Sequence, residues 1–311
     1  MIDCVVYISS VANVRRHLRK TECLESFAKG VTNSGHRVHV ERANVYTPAP
    51  LAVILGWATP DTIGGVNVQL RQKIIQEQAQ RGFKTMCIDA SCWKYLDNSS
   101  QYLRYSINGP YYDTSEYANK NSDPDKWNQI KSELNLNLVP YKTPGPNGYI
   151  LICMQRDGGF SMKSLDPLQW LHNKITEIRR YTNRPILVRP HPGAYNMNDY
   201  AEYMTKKSKS KLNIEIIEPR QSKLIDNLHG AHATVVFNSS SSVAAICLGV
   251  PVFVDDQSCV SWQVANKDIS RIENPNLFKR EQWIYDLAAA HWSDEESRQG
   301  LIYKKFLPLL S

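Results

Sequence analysis

The chain has 311 residues, of which 42% are hydrophobic and 22% charged, too long for one small core and comfortable for two domains of about 150 residues each. No apolar run reaches the roughly 20 residues a membrane helix needs, and the opening MIDCVVYISS carries neither a basic leader nor a small-residue cleavage site, which predicts a cytoplasmic protein. The net charge of +7 is spread, +4 over residues 1–145 and +3 over the rest, so it forms no basic tail but suits an anionic partner. The seven cysteines are odd in number and scattered through apolar segments without zinc-finger spacing, which predicts reduced, buried thiols rather than disulfides or a metal site.

In chain order, residues 5–9 read as a strand, and residues 22–31 show helical spacing with Leu24, Phe27, Ala28 and Val31 on one face. Gly35 stops that helix and a strand begins at residues 36–40. Residues 51–57 (LAVILGW) form a continuous apolar run bounded by prolines, the pattern of a buried parallel strand. A helix over 66–81 and a strand over 83–89, ending in Asp89, follow. This β-α-β-α-β order predicts a doubly wound parallel sheet.

Residues 107–148 break the rhythm with Tyr, Asn, Asp, Pro and Gly and hold one short helical piece near 127–134. Thr143-Pro144-Gly145-Pro146-Asn147-Gly148 is the clearest linker, so the boundary is placed there: an N-terminal domain of residues 1–145 and a C-terminal one of 146–311. The pattern then restarts, with strands at 149–154, 185–189, 213–217, 233–237 and 251–254 and helices at 167–181, 200–206, 222–229 and 242–248. Residues 280–310 read as mainly helical. Two consecutive Rossmann-like α/β units predict two lobes facing an interdomain cleft.

In such sheets ligands bind beyond the carboxyl ends of the strands. Three places there stand out. Gln155-Arg156-Asp157-Gly158-Gly159 pairs a phosphate-gripping arginine with glycines that admit a close ligand, or forms a tight turn with a solvated Arg–Asp pair. Arg189-Pro190-His191-Pro192-Gly193 fixes an imidazole between prolines, or is a rigid loop capping a helix. Asn238-Ser239-Ser240-Ser241-Ser242 offers hydroxyls and amides to a phosphate, or is an ordinary N-cap. All three follow strands of one sheet and are expected to open on one edge.

His-Pro after one strand, a serine-rich turn, a helix and then Gly249-Val250-Pro251 before the next strand resemble the donor-binding half of GT-B glycosyltransferases. They are similar in particular to capsule-polysaccharide and sialyl- or Kdo-transferase-like enzymes. That resemblance covers residues 149–254 and implies a GT-B-like α/β fold. It also implies a nucleotide-sugar donor whose phosphates are held by His191, Ser240, Ser241 and Arg156; the donor is expected to be UDP-linked, with Asp157, Gly158, Arg189, Asn238 and Ser239 on the same turns completing its site. It implies a ribose contact at Asp255 or Asp256, and chemistry that needs no metal or other cofactor. The string QRDGGFSM, with the late segment AHWSDEESRQG, resembles phage-encoded glycosyltransferases that place glucose or arabinose on 5-hydroxymethylcytosine in DNA. By that resemblance the protein would work in a host cytoplasm.

On the acceptor side a carboxylate or histidine should take the hydroxyl proton. Asp89 is the first candidate, with Asp113, Asp61 and His17 as alternatives; each aspartate also reads as a turn or cap residue. Arg15, Arg16, Arg19 and Lys20 after the first strand, and the lysine-rich run at 206–211, could contact DNA phosphates. Trp57, Trp93, Tyr95, Tyr111 and Tyr112 offer stacking faces, or belong to the core. Asp123-Pro124-Asp125 has the carboxylate spacing of a metal site but lies outside any strand end, so no metal is expected. A carbohydrate acceptor, and a binding protein without catalysis, remain open at this level.

Overall fold

The computed structural model describes residues 3–11, 18–97, 101–142, 145, 147–156, 160–163, 165–193, 202 and 213–310. By contacts the chain divides into two compact units. The first comprises Met1–Lys94, Ser99–Asn128 and Ile284–Ser311, and the second Tyr95–Asn98 and Gln129–Trp283.

The first unit contains β1 (Cys4–Tyr7), α1 (Leu18–Asn33), β2 (Val38–Glu41), β3 (Leu51–Leu55), α2 (Val66–Gln80), β4 (Lys84–Asp89) and β5 (Tyr102–Ile107). β1 to β4 are parallel as expected, in the order β4-β3-β1-β2. β5 was not anticipated and runs antiparallel to β4, pairing Asp89 with Arg104. The predicted face of α1 is the one buried: Leu24, Phe27, Ala28 and Val31 pack on Val6, Val53 and Met86. Each such fully buried large side chain is worth about 1.5–3 kcal/mol relative to exposure. Gly35 at φ 82° ends the helix in the left-handed region that favours glycine. On the other face Leu70 and Ile74 of α2 pack on Val5, Ala52 and Ile54.

The division inside α3 (Asp125–Glu133) differs from the boundary expected at residue 145, and the C-terminal segment differs more. Residues 284–311 were assigned from sequence to the second domain, but their contacts place them in the first unit.

The second unit holds β6 (Tyr149–Cys153), α4 (Pro167–Ile178), β7 (Ile186–Arg189), β8 (Ile214–Ile216), α5 (Leu224–His229), β9 (Ala231–Val236), α6 (Ser241–Cys247) and β10 (Val252–Val254). Its sheet, in the order β10-β9-β6-β7-β8, is parallel throughout. Asp166 caps α4 by accepting the Gln169 N–H at 2.6 Å, with Pro167 in the first turn. Trp170, Leu171, Ile175 and Ile178 then bury one helical stripe against Ile152, Val188 and Val235. Gly249 sits at φ +73°, and a Cβ there would come within 2.1 Å of the Pro140 carbonyl oxygen. Glycine is thus required where the chain at Pro140 crosses the end of α6.

After α7 (Glu281–Ala289), where the second unit ends, β11 (His291–Ser293) adds to β5 antiparallel as the edge strand of the first sheet. α8 (Asp294–Arg298) and α9 (Leu301–Phe306) complete the chain. The reason is steric as well as apolar. A Cβ on Gly30 in α1 would lie 1.9 Å from the Ser297 carbonyl oxygen, so α8 approaches α1 at backbone distance. Ile302, Tyr303 and Phe306 join the first core. All seven cysteines are buried and none is in a disulfide. Among the described residues no helix is long and apolar enough to cross a membrane.

Candidate functional site

β6 is the centre of the second sheet, flanked by β9 and β7. Parallel pairing therefore places the turns after these three strands side by side on the carboxyl edge. They are stitched together. The Met154 N–H donates to the Arg189 carbonyl at 2.9 Å. Gln155 accepts from the Asn238 backbone N–H at 3.1 Å and donates its own amide to the Asn238 side chain. A Cβ built on Gly193 would reach 3.9 Å from Arg156 Cδ, so the exposed Arg156 runs beside the histidine turn.

Beneath this rim lies a cavity of about 30 Å³ whose lining includes Cys153, Met154, His191, Ser239, Ser241 and Tyr95. Its volume is about one water's share of the liquid, so it is the floor of a site rather than a chamber. The Gly193 backbone N–H donates to His191 Nδ1 at 2.9 Å. Nδ1 must then be unprotonated, and a neutral ring carries its proton on Nε2 as a donor. Ser239 Oγ accepts both the Ser241 N–H at 3.2 Å and the Ser241 hydroxyl at 2.9 Å. Ser240 is half-buried on the same turn. Ser242 is turned away: its hydroxyl bonds Ser239 O and Ser261 Oγ, both at 2.7 Å. Cys153 is no nucleophile, because burial pushes its thiol up to about 12.

Other residues expected on this edge are committed to the fold. Arg189 is 8% exposed. Its guanidinium donates to Ser222 Oγ, Asn227 Oδ1, Pro219 O and Ser222 O at 2.6–3.0 Å. It ties the chain after β8 to α5, so its charge is committed to the fold. Asp255 accepts from Trp170 Nε1 at 2.6 Å and pairs with Lys174 at 2.8 Å. Asp256 pairs with Lys163 at 2.9 Å and accepts from the Ser258 N–H and hydroxyl. Burial raises the Asp256 pKa, but these hydrogen bonds and the Lys163 charge outweigh it and hold the carboxyl below its usual range. Both aspartates anchor neighbouring elements. Asp157, Gly158 and Gly159 lie outside the described residues, as does the run at 206–211.

On the first unit, Asp89 ends β4 with its side chain 31% exposed. One carboxylate oxygen accepts from Arg104, its cross-strand partner, and the other from the Ala90 N–H at 2.8 Å. Asp113 is exposed on the turn after β5, and Arg19 and Lys20 are exposed in the first turn of α1; Arg15, Arg16 and His17 lie outside the described residues. Trp93 is fully buried, 5.7 Å from Trp127 and 5.1 Å from His291 between ring centroids, so it is core and not a stacking platform. Tyr95 belongs to the cavity of the second unit. Asp123 accepts the Asp125 N–H at 3.0 Å, an Asx turn opening α3. Among the described residues no group of three or more His, Cys, Asp or Glu could hold a metal ion.

Sequence reasoning passed over Arg104 and Ser258, and named Gln155 only as part of its turn, without a role. For Arg104 a signal existed: one arginine within the apolar string YLRYSI implies a buried charge with a partner. Gln155 and Ser258 carry no such signal, since their partners are distant in sequence.

No protein-family model matches the chain, and no curated protein matches it. Two solved structures of KpsC from Thermosulfurimonas dismutans share its architecture. The one described as a beta Kdo 2,4 transferase aligns at a TM-score of 0.56 and 14% identity, covering 93% of this chain and 89% of the other. The one described as a beta Kdo 2,7 transferase aligns at a TM-score of 0.56 and 15% identity, covering 97% of this chain and 99% of the other. The likeness shows the fold alone: two α/β units of the GT-B-like kind.

Proposed function

We propose that the protein is a glycosyltransferase that holds a nucleotide sugar, UDP-linked, on the carboxyl edge of the second sheet. It moves a glucose- or arabinose-type sugar to a hydroxyl acceptor, with 5-hydroxymethylcytosine in DNA as the assigned acceptor. The observation that carries the donor half is the single cavity lined by His191, Ser239 and Ser241 from neighbouring turns, beside the exposed Arg156. Nε2–H of His191 and the serine hydroxyls are neutral donors that can share the charge growing on a departing phosphate. The Arg156 fork adds a cation.

In the transfer, the acceptor oxygen bonds the anomeric carbon as the bond from that carbon to the phosphate oxygen breaks. The nucleoside diphosphate leaves with the electron pair, and the acceptor proton goes to a base. Asp89 is the residue assigned to that proton. Its two oxygens are fixed by Arg104 and Ala90, and it is open to solvent where Asp113 has no comparable support.

Thermal stabilisation of the chain by a panel of nucleotide sugars tests the donor half, and mass analysis of hydroxymethylated DNA incubated with the best donor tests the acceptor. A mass increase of one sugar, lost in Asp89→Asn, is the expected result. Transfer to a capsule-type oligosaccharide but not to DNA would replace the acceptor and keep the donor site. A chain that releases no free nucleotide from any nucleotide sugar, with either acceptor, would be a binding protein.

A further inference from the structure

We propose that the Tyr95 phenol is a phosphate-binding group of the same cavity, a third kind of donor beside His191 and the serines. The inference rests on the reading of that cavity as the donor site. Tyr95 follows Asp89 by six positions on the connection from β4 to β5, where sequence reasoning places it on the acceptor side. Its contacts instead group it with the second unit, and it lines the cavity with His191, Ser239 and Ser241.

Three observations give it a chemical role. The other walls near it, Met154, Pro190, Pro192 and Leu224, are apolar or lack a side-chain donor, so a phenol there changes what the cavity can bind. Tyr95 is only partly buried, unlike the aromatic residues that build the cores. Its phenol is within electrostatic range of the Arg189 guanidinium, which the fold holds in place. A phenol hydroxyl on the wall of that cavity can donate to an anionic oxygen. The ligand class is therefore the phosphate of a nucleotide sugar, recognised apart from its base.

The test is calorimetric titration of the full chain with UDP and with inorganic pyrophosphate, comparing wild type with Tyr95→Phe, Tyr95→Ala and His191→Ala. Loss of one hydrogen bond should weaken both ligands about three- to tenfold in Tyr95→Phe, with thermal stability unchanged and His191→Ala weakened as well. A loss in Tyr95→Ala that Tyr95→Phe does not share would show a ring contact and overturn the proposal. So would weakening in His191→Ala with both Tyr95 variants at wild-type affinity, which leaves the donor site standing. Wild-type protein that binds neither UDP nor pyrophosphate would overturn the donor reading and this inference together.

Discussion

The carboxyl edges of the two sheets are built from the same kinds of residue and use them differently. On the first sheet an antiparallel strand brings Arg104 opposite Asp89, so a strand end that would face solvent becomes half of an ion pair. The second sheet is parallel throughout, so its edge is made only of turns. There the charged residues Arg189, Asp255 and Asp256 are spent on holding those turns, while the neutral donors His191, Ser239 and Ser241 line the cavity. A charge at a strand end is thus poor evidence of a ligand contact. The hydrogen bonds of His191 to Gly193 and of Ser239 to Ser241 stay within their own turns, whereas Arg189, Asp255 and Asp256 reach across to other elements.

The sharpest contrast is between Trp93 and Tyr95, two positions apart. Trp93→Ala should remove about 3–5 kcal/mol of stability, because a fully buried indole leaves a cavity; urea unfolding measures it. A loss under 1 kcal/mol would mean Trp93 is not part of the first core.

Arg189→Met should come next, at about 2–4 kcal/mol, since carbonyls and the Asn227 side chain lose buried donors. Wild-type stability with weakened nucleotide binding would reverse the assignment and return Arg189 to the ligand.

His291 offers a pH-dependent test of the first unit. It is fully buried, its Nδ1–H donates to Leu287 O at 2.7 Å, and its Nε2 accepts the Cys92 N–H at 3.1 Å. Both nitrogens are used by the neutral ring, and burial lowers its pKa to about 3. The unfolded ring, near the ordinary histidine value of 6.5, binds a proton first as the pH falls. The folded state therefore keeps this contribution above about pH 6.5 and loses it between 6.5 and 3, by at most about 1.4 kcal/mol per pH unit. A His291→Gln variant should show a shallower decline of stability over that window. An unchanged slope would place the acid sensitivity elsewhere.

The smallest effect on the fold should come from His191→Ala. Stability should stay within about 0.5 kcal/mol, while nucleotide-sugar affinity falls about tenfold, or about 1.4 kcal/mol. Equal losses in stability and binding would make His191 another structural tie like Arg189.

Most of the regular structure was legible in the sequence because its signals are local. The stripe of Leu24, Phe27, Ala28 and Val31, the helix stop at Gly35 and the apolar run at 51–57 each state their element within a few residues. The positions of the three turns on one edge followed from parallel connectivity, which the β-α alternation already implies. Two strands escaped, β5 and the three-residue β11. β5 hides a buried arginine in a Tyr- and Asn-rich stretch, and β11 exists only because His291 to Ser293 find Tyr102 to Arg104 far back in the chain.

Amino-acid order alone determined the α/β alternation, the faces of the helices and the edge on which polar turns collect, because hydrophobic period and turn chemistry act over short distances. Tertiary structure decided the return of residues 284–311 to the first core, the pairing of Asp89 with Arg104, and the division of Arg189, His191 and Tyr95 between fold and cavity. Those outcomes depend on which groups meet across long loops, and a side chain's availability is set by the partners that packing brings to it.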